Sequence, residues 1–206
     1  ALNKAPMRET LASLFLRQMG YDGSQTIVDP MCGSGTFPIE AAEQAAGLFP
    51  GRSRSFAFEK LASFDHGKWD QLKKSAKPRQ VLGRFFGFDR DMGAIRLSQD
   101  NANRATVGDM IQFQHAAISD LEPPDAPAGI VIINPPYGGR IGERKMLFSL
   151  YGAMGQTLKT RFKGWRVGIL TTDGGLAKAT GLPFLPSLPP VPHGGKRVTL
   201  HRTDPL

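Results

Sequence analysis

Four residues, Asn134, Pro135, Pro136 and Tyr137, directly follow an apolar run that begins at Ile130. A strand cannot continue through two prolines, because proline donates no backbone hydrogen bond and fixes its own φ. We therefore expect Asn134 at the carboxyl end of a strand, the edge at which open α/β sheets bind ligands. An amide oxygen, a prolyl carbonyl and an aromatic ring would meet there. This combination could hold a planar base by its amino group.

The exocyclic amine of a base is a poor nucleophile because its lone pair is delocalised into the ring. If the Asn134 side chain and the Pro135 carbonyl accept its two N–H groups, the nitrogen shifts towards sp³ and can attack a methyl donor. Tyr137 would stack on the ring. Catalysis would then come mainly from orientation and desolvation, and we expect Asn134, Pro135, Pro136 and Tyr137 to be catalytic.

A second candidate site is the glycine loop 29–36, which reads Asp-Pro-Met-Cys-Gly-Ser-Gly-Thr between a predicted strand and a predicted helix. Such loops let the backbone approach a ligand closely. A dinucleotide site needs a small residue where this chain has Pro38, and no Lys-Ser/Thr pair for a nucleoside triphosphate is present. Asp29 would repel a pyrophosphate but suits an ammonium group, which S-adenosylmethionine has.

A third candidate is Asp89, at the end of the predicted strand 84–88. A carboxylate at this place could accept both hydroxyls of a ribose. Asp91 is better suited to capping the next predicted helix.

Predicted strands alternate with predicted helices, which indicates a doubly wound, mostly parallel α/β sheet. The strands are expected at 26–28, 84–88, 111–115, 129–133 and 166–170, and the helices at about 6–20, 36–47, 92–105 and 148–161. We expect one domain, 1–206, with an N-terminal helix segment 1–24, a basic insertion 48–82 and a C-terminal antiparallel hairpin in 181–206 at the sheet edge.

The net charge of +8 favours a polyanionic partner such as nucleic acid. The segment 51–79 has eight basic residues with aromatic residues between them. It could follow a phosphate backbone while the aromatic residues anchor it to the domain, or it could be a solvated helix face. Single Cys32, with packing as its expected role, fits a reducing cytoplasm. The four histidines lack metal-ligand spacing, and no apolar run is long enough to span a membrane. The candidate RNA-binding residues are Arg52, Arg54, Lys73, Lys74, Arg140, Arg144 and Lys145.

The order of glycine loop, acid and Asn-Pro-Pro-Tyr resembles the class I S-adenosylmethionine-dependent amino-methyltransferases. The segments 4–11 (Lys-Ala-Pro-Met-Arg-Glu-Thr-Leu), 29–36 and 54–60 (Arg-Ser-Phe-Ala-Phe-Glu-Lys) more narrowly resemble the THUMP-associated RNA guanine-N2 methyltransferases, especially members that act on large-subunit ribosomal RNA. The cofactor contacts expected from the loop and from this resemblance are Pro6, Glu9, Thr10, Asp29, Pro30, Cys32, Gly33, Ser34, Gly35, Thr36, Asp89, Arg90, Ala117 and Asn134.

Two departures qualify the resemblance. Ala117 stands where the family usually has an acid near the adenine, so backbone groups or Asp120 would make that contact. The chain begins at Ala1 without a THUMP domain, and we expect a fragment whose RNA capture needs that domain.

The resemblance favours guanine N2 in ribosomal RNA as the methylated amine. Adenine N6, in RNA or DNA, is the alternative, because the corner at Asn134 serves both amines. A protein glutamine amide is a third option. A catalytically silent RNA-binding module that keeps the fold is an alternative of another class.

Overall fold

The computed structural model describes residues 7–75, 79–137 and 141–206, except for the side chains of 141–143. Its helices and strands, in chain order, are α1 (Glu9–Gln18), β1 (Ile27–Asp29), α2 (Thr36–Ala45), α3 (His66–Lys74), β2 (Phe85–Asp89), α4 (Met92–Arg104), β3 (Ile111–His115), β4 (Ile130–Ile133), α5 (Ile141–Arg161), β5 (Arg166–Thr171), α6 (Gly174–Ala179), β6 (Val191–His193) and β7 (Lys196–Arg202).

The strands form one seven-stranded sheet in the order β3-β2-β1-β4-β5-β7-β6. The first five are parallel, β7 runs antiparallel to β5, and β6 runs antiparallel to β7. The order reverses between β1 and β4, and such a switch point is where open α/β sheets bind ligands. The carboxyl ends of β1 and β4 therefore meet at the expected ligand crevice.

Each face of the sheet buries its own core. Phe15, Leu16 and Phe37, from α1 and α2, pack on one face, and Tyr151 and Leu158 of α5 pack on the other. The strands between them are buried on both sides, which explains the continuous apolar run of β4.

The doubly wound fold and the antiparallel C-terminal hairpin are confirmed, and each predicted strand lies within one residue of its expected bounds. The expected start of the helix at 148 is wrong, because α5 begins at Ile141. Its first described side chains, Arg144 to Met146, are exposed, so no apolar periodicity marks the first two turns. We also missed α6, which begins with Gly174 and Gly175, both poor helix formers.

The basic insertion contains a short 3-10 helix, Ala57–Lys60, and the helix α3. We expected its aromatic residues to anchor it to the domain, but they do not pack on the main core. Phe56 stacks on Phe58 with ring centroids 5.1 Å apart, and Trp69 packs edge-on against both. The insertion thus has a small aromatic cluster of its own, in which Phe58 remains 41% exposed. Among the described helices, none is long and apolar enough to cross a membrane.

Candidate active site

The carboxyl end of β1 places an acid at the base of the crevice. Asp29 is 2% exposed, and its Oδ1 accepts a hydrogen bond from the backbone N–H of Met31 at 3.1 Å. Burial raises the pKa of Asp29 to about 8; the Met31 hydrogen bond opposes this rise and the charge of Asp89 adds to it. Burial destabilises the ionised carboxylate of Asp29. A cationic group beside it would stabilise that negative charge.

The glycine loop is held in place by α4. Ser98 donates from Oγ to the carbonyl of Gly33 at 2.9 Å, and Asn101 donates from Nδ2 to the carbonyl of Ser34 at 2.8 Å. Gly35 has a φ of 80° and is the N-cap of α2. A Cβ there would lie 3.0 Å from the Cβ of Ser98, so glycine is required by both conformation and space.

The other loop residues serve packing and local hydrogen bonding. Cys32 is buried, its Sγ lies 3.7 Å from the Oγ of Ser98, and burial raises the pKa of its thiol. This is the packing role expected for the cysteine, since a neutral thiol is a weak nucleophile. Pro30 is buried behind the loop. The hydroxyl of Thr36 lies 3.2 Å from that of Ser34 at the start of α2.

Asp89 joins the end of β2 to the glycine loop. Its Oδ2 accepts the backbone N–H of Gly33 at 3.0 Å, and its Oδ1 accepts the N–H of Asp91 at 2.9 Å. Each carboxylate oxygen keeps acceptor capacity, and the residue is half-buried at the crevice edge. Asp91 caps α4 by accepting the N–H of Gly93 at 2.7 Å, as its sequence position predicts.

The end of β3 adjoins the end of β2. The N–H of Ala116 donates to the carbonyl of Asp89 at 3.0 Å, which places Ala117 next to the acid. The carbonyl of Ala117 already accepts the N–H of Asp120 at 3.0 Å. Arg90 is exposed, and its carbonyl lies 2.9 Å from Nε2 of His115. These two residues therefore border the expected ribose and adenine positions.

The start of α1 lies beside the first turns of α2. Glu9 and Thr10 are exposed. The pKa of Glu40 on α2 is raised to about 7, first by burial and then by the charges of Glu43 and Glu9. Glu9 thus lies close to the helix that begins at the glycine loop. Pro6, the remaining expected contact in this segment, is outside the described residues.

The corner after β4 contains two buried polar atoms. The Oδ1 of Asn134 is buried and has no hydrogen-bond partner among the described residues, and the same is true of the hydroxyl of Tyr137. Burial raises the pKa of that hydroxyl, and the ring packs between the two cores. Pro135 is buried and Pro136 exposed. An unsatisfied buried acceptor carries a free-energy penalty, so the corner is prepared for a donor from a ligand.

A hydrogen-bond network that the sequence did not reveal links this corner to β5. Tyr151 of α5 donates from its hydroxyl to the carbonyl of Pro136 at 3.4 Å. Burial raises the pKa of this hydroxyl, and the nearby side chain of Thr171 opposes the rise. The Oγ1 of Thr171 accepts the N–H of Asp173 at 3.1 Å. The available signal was the polar sequence Thr-Thr-Asp directly after an apolar strand, the same arrangement that identified Asp89.

The candidate RNA-binding side chains differ in their freedom. The guanidinium of Arg52 forms a 2.5 Å ion pair with Glu43 and donates to the carbonyl of Ala105. We therefore expect Arg52 to fix the insertion on the domain instead of contacting phosphates. Arg54 lies over the ring of Phe56, 4.5 Å from its centroid.

The remaining basic side chains are exposed. Lys73 pairs with Asp70 at 2.8 Å on the surface of α3, Lys74 is exposed beside it, and Lys145 is exposed at the start of α5. Arg144 forms a 3.5 Å ion pair with Asp173. Arg140 lies outside the described residues. Within the described ranges, no group of three or more His, Cys, Asp or Glu side chains is arranged to hold a metal ion.

The chain is similar to known methyltransferases. The family model described as "UPF0020: RMKL-like, methyltransferase domain" matches residues 1–183. The ribosomal RNA large subunit methyltransferase K/L of Vibrio campbellii (strain ATCC BAA-1116) is 41% identical over 178 residues, which are 82% of this chain and 25% of that protein.

Two solved structures extend the similarity to the fold. The methyltransferase candidate SMU.472, complexed with SAH, has a TM-score of 0.90 at 28% identity over 99% of this chain and 54% of that chain. A predicted N6-adenine-specific DNA methylase from Listeria monocytogenes (str. 4b F2365) has a TM-score of 0.85 at 27% identity over 100% of this chain and 53% of that chain. The chain thus spans a quarter of the ribosomal RNA relative and about half of each solved protein.

Proposed function

Since this chain belongs to the family of RMKL-like methyltransferase domains, we propose that it is the catalytic domain of an S-adenosylmethionine-dependent enzyme that methylates guanine N2 in large-subunit ribosomal RNA. The observation that carries the proposal is the buried Oδ1 of Asn134, which has no hydrogen-bond partner in the described part of the chain. It lies at the switch point of the sheet, across from Asp29 and the glycine loop. An amine donor from a base would remove the penalty of this unsatisfied acceptor.

The described residues fit S-adenosylmethionine. Asp29 would stabilise its ammonium group, and the glycine loop would bind its carboxylate and the rest of its amino-acid part. Asp89, which can accept further hydrogen bonds, would bind its ribose hydroxyls. When bound, this cofactor supplies the methyl group. SMU.472 was solved with SAH, the product expected after the methyl group has left. The segments around Glu9 and Ala117 would complete the pocket.

The protein's own part in the reaction is orientation. Asn134 and the carbonyl of Pro135 would accept the two N–H groups of the amine, which directs the nitrogen lone pair towards the cofactor side of the crevice. Tyr137 would cover the base. The new N–C bond forms as the S–C bond breaks, and the extra proton on nitrogen leaves to solvent. With no strong base at the corner, orientation and desolvation must supply most of the rate.

RNA would approach over the exposed basic residues. Arg54, Lys73 and Lys74 on the insertion, and Arg140, Arg144 and Lys145 after the corner, are the candidates for phosphate contacts. We propose that a further, N-terminal domain of a longer protein supplies most of the RNA affinity, and that the enzyme works in the cytoplasm.

Methylation of adenine N6 is the second candidate function, supported by the similarity to the Listeria protein. The test is to incubate the purified full-length protein that contains this domain with labelled S-adenosylmethionine and unmodified ribosomal RNA, digest the RNA and identify the labelled nucleoside. We expect N2-methylguanosine from the large-subunit RNA. Label only in N6-methyladenosine would contradict the guanine assignment. Absence of cofactor binding in calorimetry would support the catalytically silent alternative.

A further inference from the structure

We propose that Asp173 selects guanine over adenine by accepting the N1–H of the target base, an inference that rests on the proposed function. Asp173 follows β5, the strand next to β4 in the sheet. The carboxyl ends of these parallel strands meet at one edge, so Asp173 and Asn134 border the same crevice. Tyr151 lies between the two corners: its hydroxyl donates to the carbonyl of Pro136 and lies near the side chain of Thr171.

The side chains around Asp173 come from one face of α5. Arg144, Phe148 and Tyr151 follow each other at spacings of four and three residues, which places them on one side of a helix. Arg144 pairs with Asp173, and a Cβ placed on Gly175, two residues after Asp173, would lie 3.6 Å from the ring of Phe148. Burial raises the pKa of Tyr151, and the nearby charge of Asp173 adds to the rise. The carboxylate is thus at the rim of the proposed base pocket.

The carboxylate can take a new partner without losing its structural one. Oδ1 caps α6 by accepting the N–H of Gly175 at 2.8 Å. Among the described residues, the ion pair with Arg144, at 3.5 Å, is the only contact of Oδ2, and the side chains of Asp173 and Arg144 are 36% and 66% exposed. An exposed ion pair at this distance contributes little free energy. Oδ2 is therefore available to a donor from a ligand, while Oδ1 holds the helix.

Guanine and adenine differ at the atom next to the amine. Guanine has an N1–H donor beside its N2 amine, whereas adenine has an N1 acceptor beside its N6 amine. If Asn134 and Pro135 hold the amine of either base, the next group along the base edge meets Asp173. A carboxylate there stabilises guanine with a charge-assisted hydrogen bond and repels the lone pair of adenine. The acceptor at Asp173 supplies the discrimination that the corner at Asn134 lacks.

The test combines a protein change with a base change. Large-subunit RNA first locates the methylated guanosine; a short RNA hairpin is then made with guanine or 2-aminopurine at that position. 2-Aminopurine keeps the 2-amino group but has no N1–H. For the wild-type protein, we expect 2-aminopurine to lower kcat/KM by about 100-fold. Asp173→Asn keeps a good N-cap. We expect this variant to methylate guanine about 10-fold more slowly than the wild type does. Its further fall in kcat/KM from guanine to 2-aminopurine should be less than about 10-fold.

Two comparisons make the result decisive. Asp65→Asn is the matched control, because Asp65 also caps a helix by accepting a backbone N–H, that of Lys68 at 2.9 Å, but lies in the insertion; its guanine preference should equal that of the wild type. Asp173→Ser keeps the helix cap, but its side chain is too short to reach the base, so this variant should also lose the preference for guanine over 2-aminopurine. Equal losses with 2-aminopurine in wild type and Asp173→Asn would overturn this inference alone. No N2-methylguanosine from the full-length wild-type protein would overturn the proposed function itself.

Discussion

The hydroxyl of Tyr151 donates a hydrogen bond to the carbonyl of Pro136 at 3.4 Å, so α5 directly supports the corner that would hold the target base. This contact allows orientation of the corner to be separated from stability of the fold. Tyr151→Phe should lower the free energy of unfolding by about 1 kcal/mol. Because the corner would lose its support, kcat should also fall about 10-fold with little change in cofactor affinity.

The control for this change is Tyr21→Phe. Tyr21 is also buried, and its hydroxyl donates to the carbonyl of Ala41 at 2.8 Å, between α1 and α2. It should lose similar stability in denaturant unfolding and keep its turnover. Equal losses of turnover in the two variants would show that the Tyr151 effect is only structural.

Asp89 should affect the cofactor more than the reaction. Its carboxylate accepts the N–H of Gly33 and would also bind the ribose. Asp89→Ala should weaken S-adenosylmethionine binding by about 10- to 100-fold, as expected for loss of a charge-assisted hydrogen bond and of loop support. Calorimetry measures this, with Asp100→Ala on the exposed surface of α4 as control. An unchanged dissociation constant would exclude Asp89 from the cofactor pocket.

Asp29 should make stability depend on pH. Its folded-state pKa of about 8 lies above the ordinary value of 3.8, so the folded protein holds a proton that the unfolded chain releases between about pH 4 and 8. The contribution of Asp29 to stability therefore falls as pH rises through this window. Asp29→Asn cannot titrate, so its melting temperature should exceed that of the wild type at pH 8, by a margin that shrinks towards pH 5. A margin independent of pH would contradict this account.

The same carboxyl should release a proton when an ammonium group binds beside it. For the wild type near pH 7, the heat of S-adenosylmethionine binding should then vary with the ionisation enthalpy of the buffer, and for Asp29→Asn it should not. Asp29→Asn should also bind the cofactor more weakly, because the compensating charge is gone.

The insertion should contribute to RNA affinity through charge. Lys74→Gln should reduce the slope of the logarithm of the RNA-binding constant against the logarithm of the salt concentration by about 1. It should weaken binding to all RNAs alike. Lys163→Gln is the control, because Lys163 is exposed just before β5 and lies outside the insertion. Equal slopes for the two variants would exclude Lys74 from the RNA path.

The strands and the glycine loop could be predicted because their signals are local. Apolar runs that end in Asp29, Asp89 and Asn134 show both the strand and the edge at which its last side chain lies. The start of α5 could not be predicted, because its first described side chains, Arg144 to Met146, are exposed and mark no apolar face. The contacts of the aromatic residues in the insertion were also predicted wrongly. The sequence shows that Phe56 and Trp69 are apolar enough to be packed, but it does not show that they pack against each other.

The polar network behind the corner was also beyond the sequence. Tyr151 lies in the middle of a helix, where a tyrosine is an ordinary core residue, and only the fold shows that its hydroxyl reaches Pro136. Asp173 followed a strand as Asp89 did, but its position before two glycines indicated only a turn. The sequence pattern therefore identified the two ligand-facing corners, and the tertiary structure was needed to connect them.

The most direct measurement is turnover and cofactor affinity of Asn134→Ala in parallel. The central claim is that the unpartnered Oδ1 of Asn134 holds the target amine. We expect kcat to fall by about 100-fold or more while the dissociation constant of S-adenosylmethionine changes less than about threefold, because the lost contact orients the amine for attack. Unchanged turnover, or equal loss of turnover and cofactor affinity, would contradict the claim.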